Sequence, residues 1–414
     1  STPAGVPGAP ALLAAPVLAP DLPGEVPPET AALRAALDPV LAEAALRDGV
    51  GAVVLEPATG ALLYDAGAST PRVPASVVKL VTAAAALQAV GPQTRLRTRV
   101  LAGAAPGELV LVGGGDPVLS ARDLDALAAQ TAAALRTGGG APSDVTVLVD
   151  DSLFSGPGVN PHWRSSYVRG AAVVAPVSAL AVHRTPGSQA PRDPALAAGR
   201  QLAERLRAKR VELAGPVRRG RADAGAPELA ATSSPPVAVL VEEALAASDN
   251  DVVEVLARLV AVAEGRPATA EGAAAAVGDV VTRLGVAPGD LRLLDGSGLA
   301  RDTAVPPAVL ARLLARALSA EHPELRPLVT GLPVGGFTGT LAGRFPPSTP
   351  GAGSVRAKTG TLTGVSSLAG TVRDADGRVL VFAVLADSVP SGATDRARAA
   401  LDRFAGTLAS CGCP

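Results

Sequence analysis

Of the 37 lysine and arginine residues in this 414-residue chain, only Lys79, Lys209 and Lys358 are lysine. Two of the three stand in short motifs whose chemistry an arginine cannot perform. Lys79 closes Ser76-Val77-Val78-Lys79, and Lys358 opens Lys358-Thr359-Gly360-Thr361. A guanidinium stays protonated in a protein, so it cannot act as a base. An amine can, once burial or a neighbouring cation lowers its pKa. The spacing of Ser76 and Lys79 puts both side chains on one face of a helix. In a first turn, backbone N–H groups are unpaired and the helix dipole favours an anion. A hydroxyl placed there can give its proton to a neutral amine and attack a carbonyl.

Ser248-Asp249-Asn250 adds a second hydroxyl and an amide between two helical stretches. All three residue types also favour a helix N-cap, so a catalytic and a capping reading both stand. Lys358 lies in a β-branched strand, where a buried ammonium needs a partner. An exposed lysine there would instead guard a sheet edge against aggregation. Gly360 admits close approach of a substrate backbone. His162, His183 and His322 are scattered and show no metal-ligand spacing, and no Gly-x-Ser-x-Gly elbow occurs. The expected reaction therefore uses no metal and no cofactor. Gly113-Gly114-Gly115-Asp116 lacks the Lys-Ser/Thr of a phosphate loop and reads as a turn.

The elements that must position these residues follow from periodicity and breakers. Residues 1–30 are proline-rich and read as a linker. A helix over 30–46, a hairpin from strands 51–56 and 61–64, and a helix over 76–90 come next. Strands 95–101, 108–112, 145–150 and 211–217, with helices 124–135 and 195–208, form an inserted α/β module. Helices 237–247, 251–263, 273–284 and 307–318 follow. Strands 354–361, 365–372 and 379–385 and a helix over 394–409 close the chain. One antiparallel sheet drawn from both ends of the chain is expected, in an α+β fold. The division is 31–93 with 236–410 as one domain and 94–235 as the inserted one.

Composition adds exclusions. A net charge of −1 gives no case for nucleic acid or anionic lipid as partner. No run of about twenty apolar residues predicts a membrane span. The chain contains no Met, not even an initiator, and reads as processed, with a signal or membrane anchor upstream of residue 1 left open. Cys411 and Cys413 either form a small disulfide or belong to a frayed tail.

The ordered set Ser76-x-x-Lys79, Ser248-x-Asn250, Lys358-Thr359-Gly360 resembles the penicillin-recognising serine enzymes. Gly113-Gly114-Gly115-Asp116-Pro117, Ala175-Pro176-Val177-Ser178-Ala179-Leu180, Asp295-Gly296-Ser297-Gly298-Leu299-Ala300-Arg301 and Gly339-Thr340-Leu341 narrow the likeness. Together they resemble the class C low-molecular-mass penicillin-binding proteins, D-alanyl-D-alanine carboxypeptidases/endopeptidases, over roughly residues 32–408. The resemblance implies the penicillin-binding-protein/serine β-lactamase-like transpeptidase fold with an inserted module. It implies a secreted or cell-envelope hydrolase of bacterial peptidoglycan peptides, with β-lactams as covalent inhibitors.

By the same resemblance Ser76 is the acylated nucleophile and Lys79 takes its proton. Ser248 passes a proton to the leaving amine, Asn250 holds the substrate amide and Lys79, and Lys358 holds Ser248 and the substrate carboxylate. Thr359, Gly360 and Thr361 bind substrate, and Thr363 and Arg301 match positions near the substrate side chain. The family commonly carries an acidic residue a few positions after the Trp of its insertion, whereas here Trp163 is followed by Arg164-Ser165-Ser166-Tyr167. The stretch between the first two motifs is long for a β-lactamase and short for this family, so one inserted subdomain is expected to be reduced or absent. A serine β-lactamase and a non-catalytic peptidoglycan-binding protein are the competing readings.

Overall fold

In the computed structural model, residues 30–46, 49–137, 144–185, 187–286 and 291–411 are described. The first sheet joins both ends of the chain, as the pattern predicts. It contains β1 (Val50–Leu55), β2 (Leu62–Ala66), β8 (Val355–Leu362), β9 (Val365–Arg373) and β10 (Val379–Ala386). Their order is β2-β1-β10-β9-β8, with every pair antiparallel. All eight residues of β10 are buried, because both faces of this central strand are covered. Val381, Ala383 and Leu385 enter the core formed with helices α2 (Lys79–Ala89), α7 (Asn250–Ala263), α8 (Ala270–Arg283) and α9 (Pro307–Leu318). The alternate residues Phe382, Val384 and Ala386 enter the core formed with α1 (Thr30–Leu41) and α11 (Thr394–Ser410). The period of two thus feeds two cores from one apolar run.

The second sheet lies wholly within the stretch between the first two motifs. Its strands are β3 (Arg95–Ala102), β4 (Glu108–Val112), β5 (Thr146–Asp150), β6 (Arg218–Arg219) and β7 (Glu228–Pro236), in the order β6-β5-β4-β3-β7. Helices α3 (Ala121–Thr137) and α5 (Pro194–Ala208) bury Leu124, Leu127, Leu202 and Leu206 against it. A short helix α4 (Ser165–Arg169) precedes α5, and α6 (Val237–Ala247) leads back to the first sheet. The small helix α10 (Pro327–Thr330) follows α9.

Two expectations fail, and one strand was not foreseen. The strand expected over 211–217 reduces to one bridge, Leu213 to Val145, followed by the two-residue β6. Gly215, with φ of 67°, and Pro216 break it. β7 escaped the pattern because it ends in Pro235 and Pro236; as the last strand of its sheet it needs few ladder donors. The first helix ends at Leu41 and passes into turns through residue 46. The possible Cys411–Cys413 pairing involves residue 413, which lies outside the described residues. The linker reading of 1–30 falls almost entirely outside them as well. Trp163 is buried against Val174, Leu299 and Ala300.

Candidate active site

The first two motifs meet at the start of α2. Ser76 lies in a 3-10 turn, Ala75–Val78, that passes directly into the α-helix beginning at Lys79. Ala75 enters that turn with φ of 49°, a region non-glycine residues avoid, so the turn carrying Ser76 is strained and held from outside. Two glycines give it room. A Cβ on Gly298 would sit 2.0 Å from the Ala75 carbonyl oxygen. A Cβ on Gly360 would sit 2.7 Å from the Pro74 carbonyl oxygen and 3.1 Å from the Ser76 nitrogen. Gly360 was expected to admit a substrate backbone. The close neighbour found is the chain's own Ser76 turn, because β8 runs against it.

This gives a testable consequence. Gly360→Ala also brings its Cβ within 2.2 Å of Ser367 Oγ, so the Ser76 turn must shift. The variant is expected to fold but to react with penicillin about 10²-fold more slowly, the scale set by a ~1 Å misplacement. An unchanged rate in stopped-flow acylation would show that the turn tolerates the displacement.

Lys79 is completely buried, and its Nζ donates to three acceptors. These are Ser76 Oγ at 3.0 Å, Asn250 Oδ1 at 2.7 Å and the Ser297 carbonyl at 2.9 Å. The last two can only accept hydrogen. In a neutral amine they take the two N–H groups, which turns the lone pair toward Ser76 Oγ. Burial, opposed by the charges of Asp295, Glu254 and Asp249, lowers the Lys79 pKa to about 8. The amine is therefore within reach of its basic form near neutral pH.

Ser248 and Asn250 flank the junction of α6 and α7. Ser248 caps α6 in the left-handed conformation, φ 58°, and Asp249 caps α7 by accepting from the Val252 nitrogen at 3.0 Å. The capping and site readings are therefore both true: Asp249 does the capping and leaves its neighbours free. Lys358, also completely buried, donates to Ser248 Oγ at 2.8 Å and to the Thr359 carbonyl at 2.9 Å. Burial first, and then the charge of Lys79, hold its pKa well below the usual ammonium range.

A segment that sequence reasoning did not connect to the site braces this junction. Asn250 Nδ2 donates to the Val173 carbonyl at 2.7 Å, which turns Oδ1 toward Lys79. Asp251 accepts from the Ala175 nitrogen at 2.7 Å and from Arg184 Nε at 2.6 Å. Asp249 Oδ2 lies 3.4 Å from His183 Nε2. Burial alone would raise the Asp249 carboxyl, but hydrogen bonds from His183 and Val252 outweigh it and lower its pKa. Residues 173–184 thus hold Asp249 and Asn250 of the second motif and Asp251 beside them.

The remaining expected residues divide into two groups. Thr359 Oγ1 donates to Thr340 Oγ1 at 2.9 Å, and Thr361 Oγ1 accepts from Arg398 Nη2 at 3.5 Å. Arg398, on α11, was not singled out from the sequence. Arg301 and Thr363 are brought together at the tip of the β8–β9 hairpin, where Arg301 Nη2 donates to the Thr363 carbonyl. No hydrogen bond among the described residues joins that pair to Ser76, Lys79 or Lys358. β8 is an edge strand, and only its beginning is covered, by Pro333 to Gly335.

Sequence reasoning also missed Glu254 and the role of Asp295. Glu254 is a lone carboxyl among Val252, Val253, Val255 and Leu256, and it lies one turn from Asn250. A charge in such an apolar face is a signal of a built polar site.

The fold and this cluster define an enzyme-like site on an α+β framework. The D-Ala-D-Ala carboxypeptidase 3 (S13) family model matches residues 33–186 and 180–408, and the chain belongs to that family. A carboxypeptidase of Mycobacterium tuberculosis is 36% identical over 406 residues, covering 93% of this chain and 85% of that protein. The D-alanyl-D-alanine carboxypeptidase of an Actinomadura strain is 30% identical, covering 85% of this chain and 80% of that one. The crystal structure of penicillin binding protein 4 from Haemophilus influenzae superposes with a TM-score of 0.76 at 23% identity, covering 90% of this chain and 98% of that one. The same protein has been solved in complex with a β-lactam, and that structure superposes with a TM-score of 0.68 at 24% identity.

Proposed function

We propose that this chain hydrolyses the D-Ala-D-Ala bond of peptidoglycan stem peptides through an acyl-enzyme on Ser76. The observation that carries the reading is the position of Lys79 Nζ, held by two pure acceptors with its third direction on Ser76 Oγ. Lys79 removes the hydroxyl proton as Oγ attacks the carbonyl of the penultimate D-alanine. The N–H groups of Ser76 and Thr361 stabilise the oxyanion, at about 3–4 kcal/mol per donor. Ser248 passes its proton to the departing D-alanine amine and takes back the one held by Lys79, with Lys358 beside it. Water then releases the shortened peptide.

Substrate geometry follows from the uncovered part of β8. An extended peptide pairs with that free edge, and its terminal carboxylate meets Thr359 and Thr361. Arg301 and Thr363 lie toward the substrate side chain. A β-lactam acylates the same Ser76. Residues 31–93 and 236–410 act as the catalytic domain, and 94–235 as the inserted domain. The same site serves cross-links whose acceptor amine can enter it. The activity places the protein outside the cytoplasm. No helix among the described residues is long and apolar enough to cross a membrane.

The test is release of free D-alanine from a pentapeptide ending in D-Ala-D-Ala, with the intact mass recorded after penicillin treatment. D-alanine release and a gain of one penicilloyl group are expected. Folded protein that gives neither result would overturn the reading, and rapid turnover of a chromogenic cephalosporin would favour a β-lactamase.

A further inference from the structure

Two buried carboxyls stand within electrostatic reach of Lys79 and have no part in the steps above. Glu254 is on α7, one turn beyond Asn250, so both project from the same helix face. Its Oε1 accepts from the Gly296 nitrogen at 3.0 Å and the Ser297 nitrogen at 2.8 Å. Asp295 accepts from the backbone nitrogens of Gly298, Leu299 and Ala300, from Trp163 Nε1 and from Ser297 Oγ. The 295–300 turn is therefore wrapped around two carboxyls. Its carbonyls face α2: Gly296 O receives Thr82 Oγ1 at 2.8 Å, and Ser297 O receives Lys79 Nζ. Glu254 thus touches the same residue whose carbonyl holds the amine.

We propose that Glu254 is a positioning residue for Lys79, fixing the Ser297 carbonyl against Nζ and setting, through its charge, the pH at which the amine becomes a base. The proposal rests on the reading of Lys79 as the proton acceptor of Ser76. Lys79 faces Glu254 of α7, Asp249 at its cap, Asp295 of the turn and Lys358 of β8. Glu254 faces Asp295, Lys79 and, one turn along its own helix, Arg258. Burial, then the charge of Asp295, raises the Glu254 carboxyl above the usual carboxylate range, and the charge of Lys79 opposes that rise. The charge of each group favours the charged form of the other. A negative Glu254 favours the ammonium form of Lys79, so removing that charge makes the free amine available at lower pH.

The test is the pH profile of penicillin acylation in the full chain. Its acidic limb reports the protonation of Lys79. Glu254→Gln keeps an oxygen for the two backbone donors and removes the charge. Its limb is expected to move to lower pH by about half a unit, a roughly threefold gain in the reactive fraction on that limb. Glu254→Asp keeps the charge but withdraws the oxygen. It is expected to lower the plateau and leave the limb in place, and it tests the positioning role if the first variant does not fold. A limb that stays put in Glu254→Gln, or a Glu254→Asp plateau equal to the parent's, would overturn this proposal alone. A parent with no acidic limb would overturn the assignment of Lys79 and this proposal together.

Discussion

A Ser76→Ala chain is expected to gain no mass on incubation with penicillin, while the parent gains one penicilloyl group. Release of D-alanine is expected to fall by about 10⁴-fold or more, the scale found when a nucleophile is removed from a serine peptidase. The expectation rests on the company Ser76 keeps. Its Oγ is the only one of the three acceptors around Lys79 Nζ that can also give up a proton. Its turn is strained and is accommodated by glycines at 298 and 360. Removing one hydroxyl leaves that packing intact, so the thermal unfolding midpoint is expected to stay near the parent's. An adduct that persisted on the Ser76→Ala protein would move the nucleophile elsewhere, and Ser248, bonded to Lys358, would be the next to examine.

Arginine at the two lysine positions is expected to act unequally. Lys79→Arg cannot supply a base, and a planar guanidinium does not fit a socket of three acceptors around one nitrogen. Acylation is expected to fall by about 10³-fold or more, within the range for loss of a general base. Lys358→Arg keeps hydrogen-bond donors beside Ser248, and a loss of about 10²-fold or less is expected, the cost of a ~1 Å misplacement. The structure adds a sign to that comparison. Burial and the charge of Lys79 hold Lys358 well below the usual ammonium range, and among the described residues no carboxylate pairs with it. A permanent cation at 358 therefore disfavours the charged form of Lys79. The acidic limb of Lys358→Arg is expected at lower pH than the parent's. Equal losses in the two variants, or a limb displaced upward, would reverse these roles.

What could be read from the sequence was local. Ser76 and Lys79 are one turn apart, so their shared face needed no structure to infer. The continuous apolar run of β10 and the breakers around the helices gave the sheet from both chain ends. The capping preference of Ser248-Asp249-Asn250 was legible too, although which residue caps was not. That depends on Ser248 taking the left-handed conformation, which no residue preference announces. The brace from 173–184, the turn around Asp295 and Glu254, and the reach of Arg398 to Thr361 all join residues distant in the chain. A single sequence carries no periodicity for such contacts. β7 was hidden for another reason: two prolines read as a loop, and only its place at a sheet edge makes them tolerable.

The brace has one more consequence. Asp249, Asn250 and Asp251 each bond to the loop between α4 and α5, which belongs to the stretch separating the first two motifs. That stretch is therefore not an exchangeable cassette. A chimera carrying the corresponding segment of a relative would inherit its sheet and helices, yet would have to rebuild three side-chain anchors before the amide of Asn250 faced the right way.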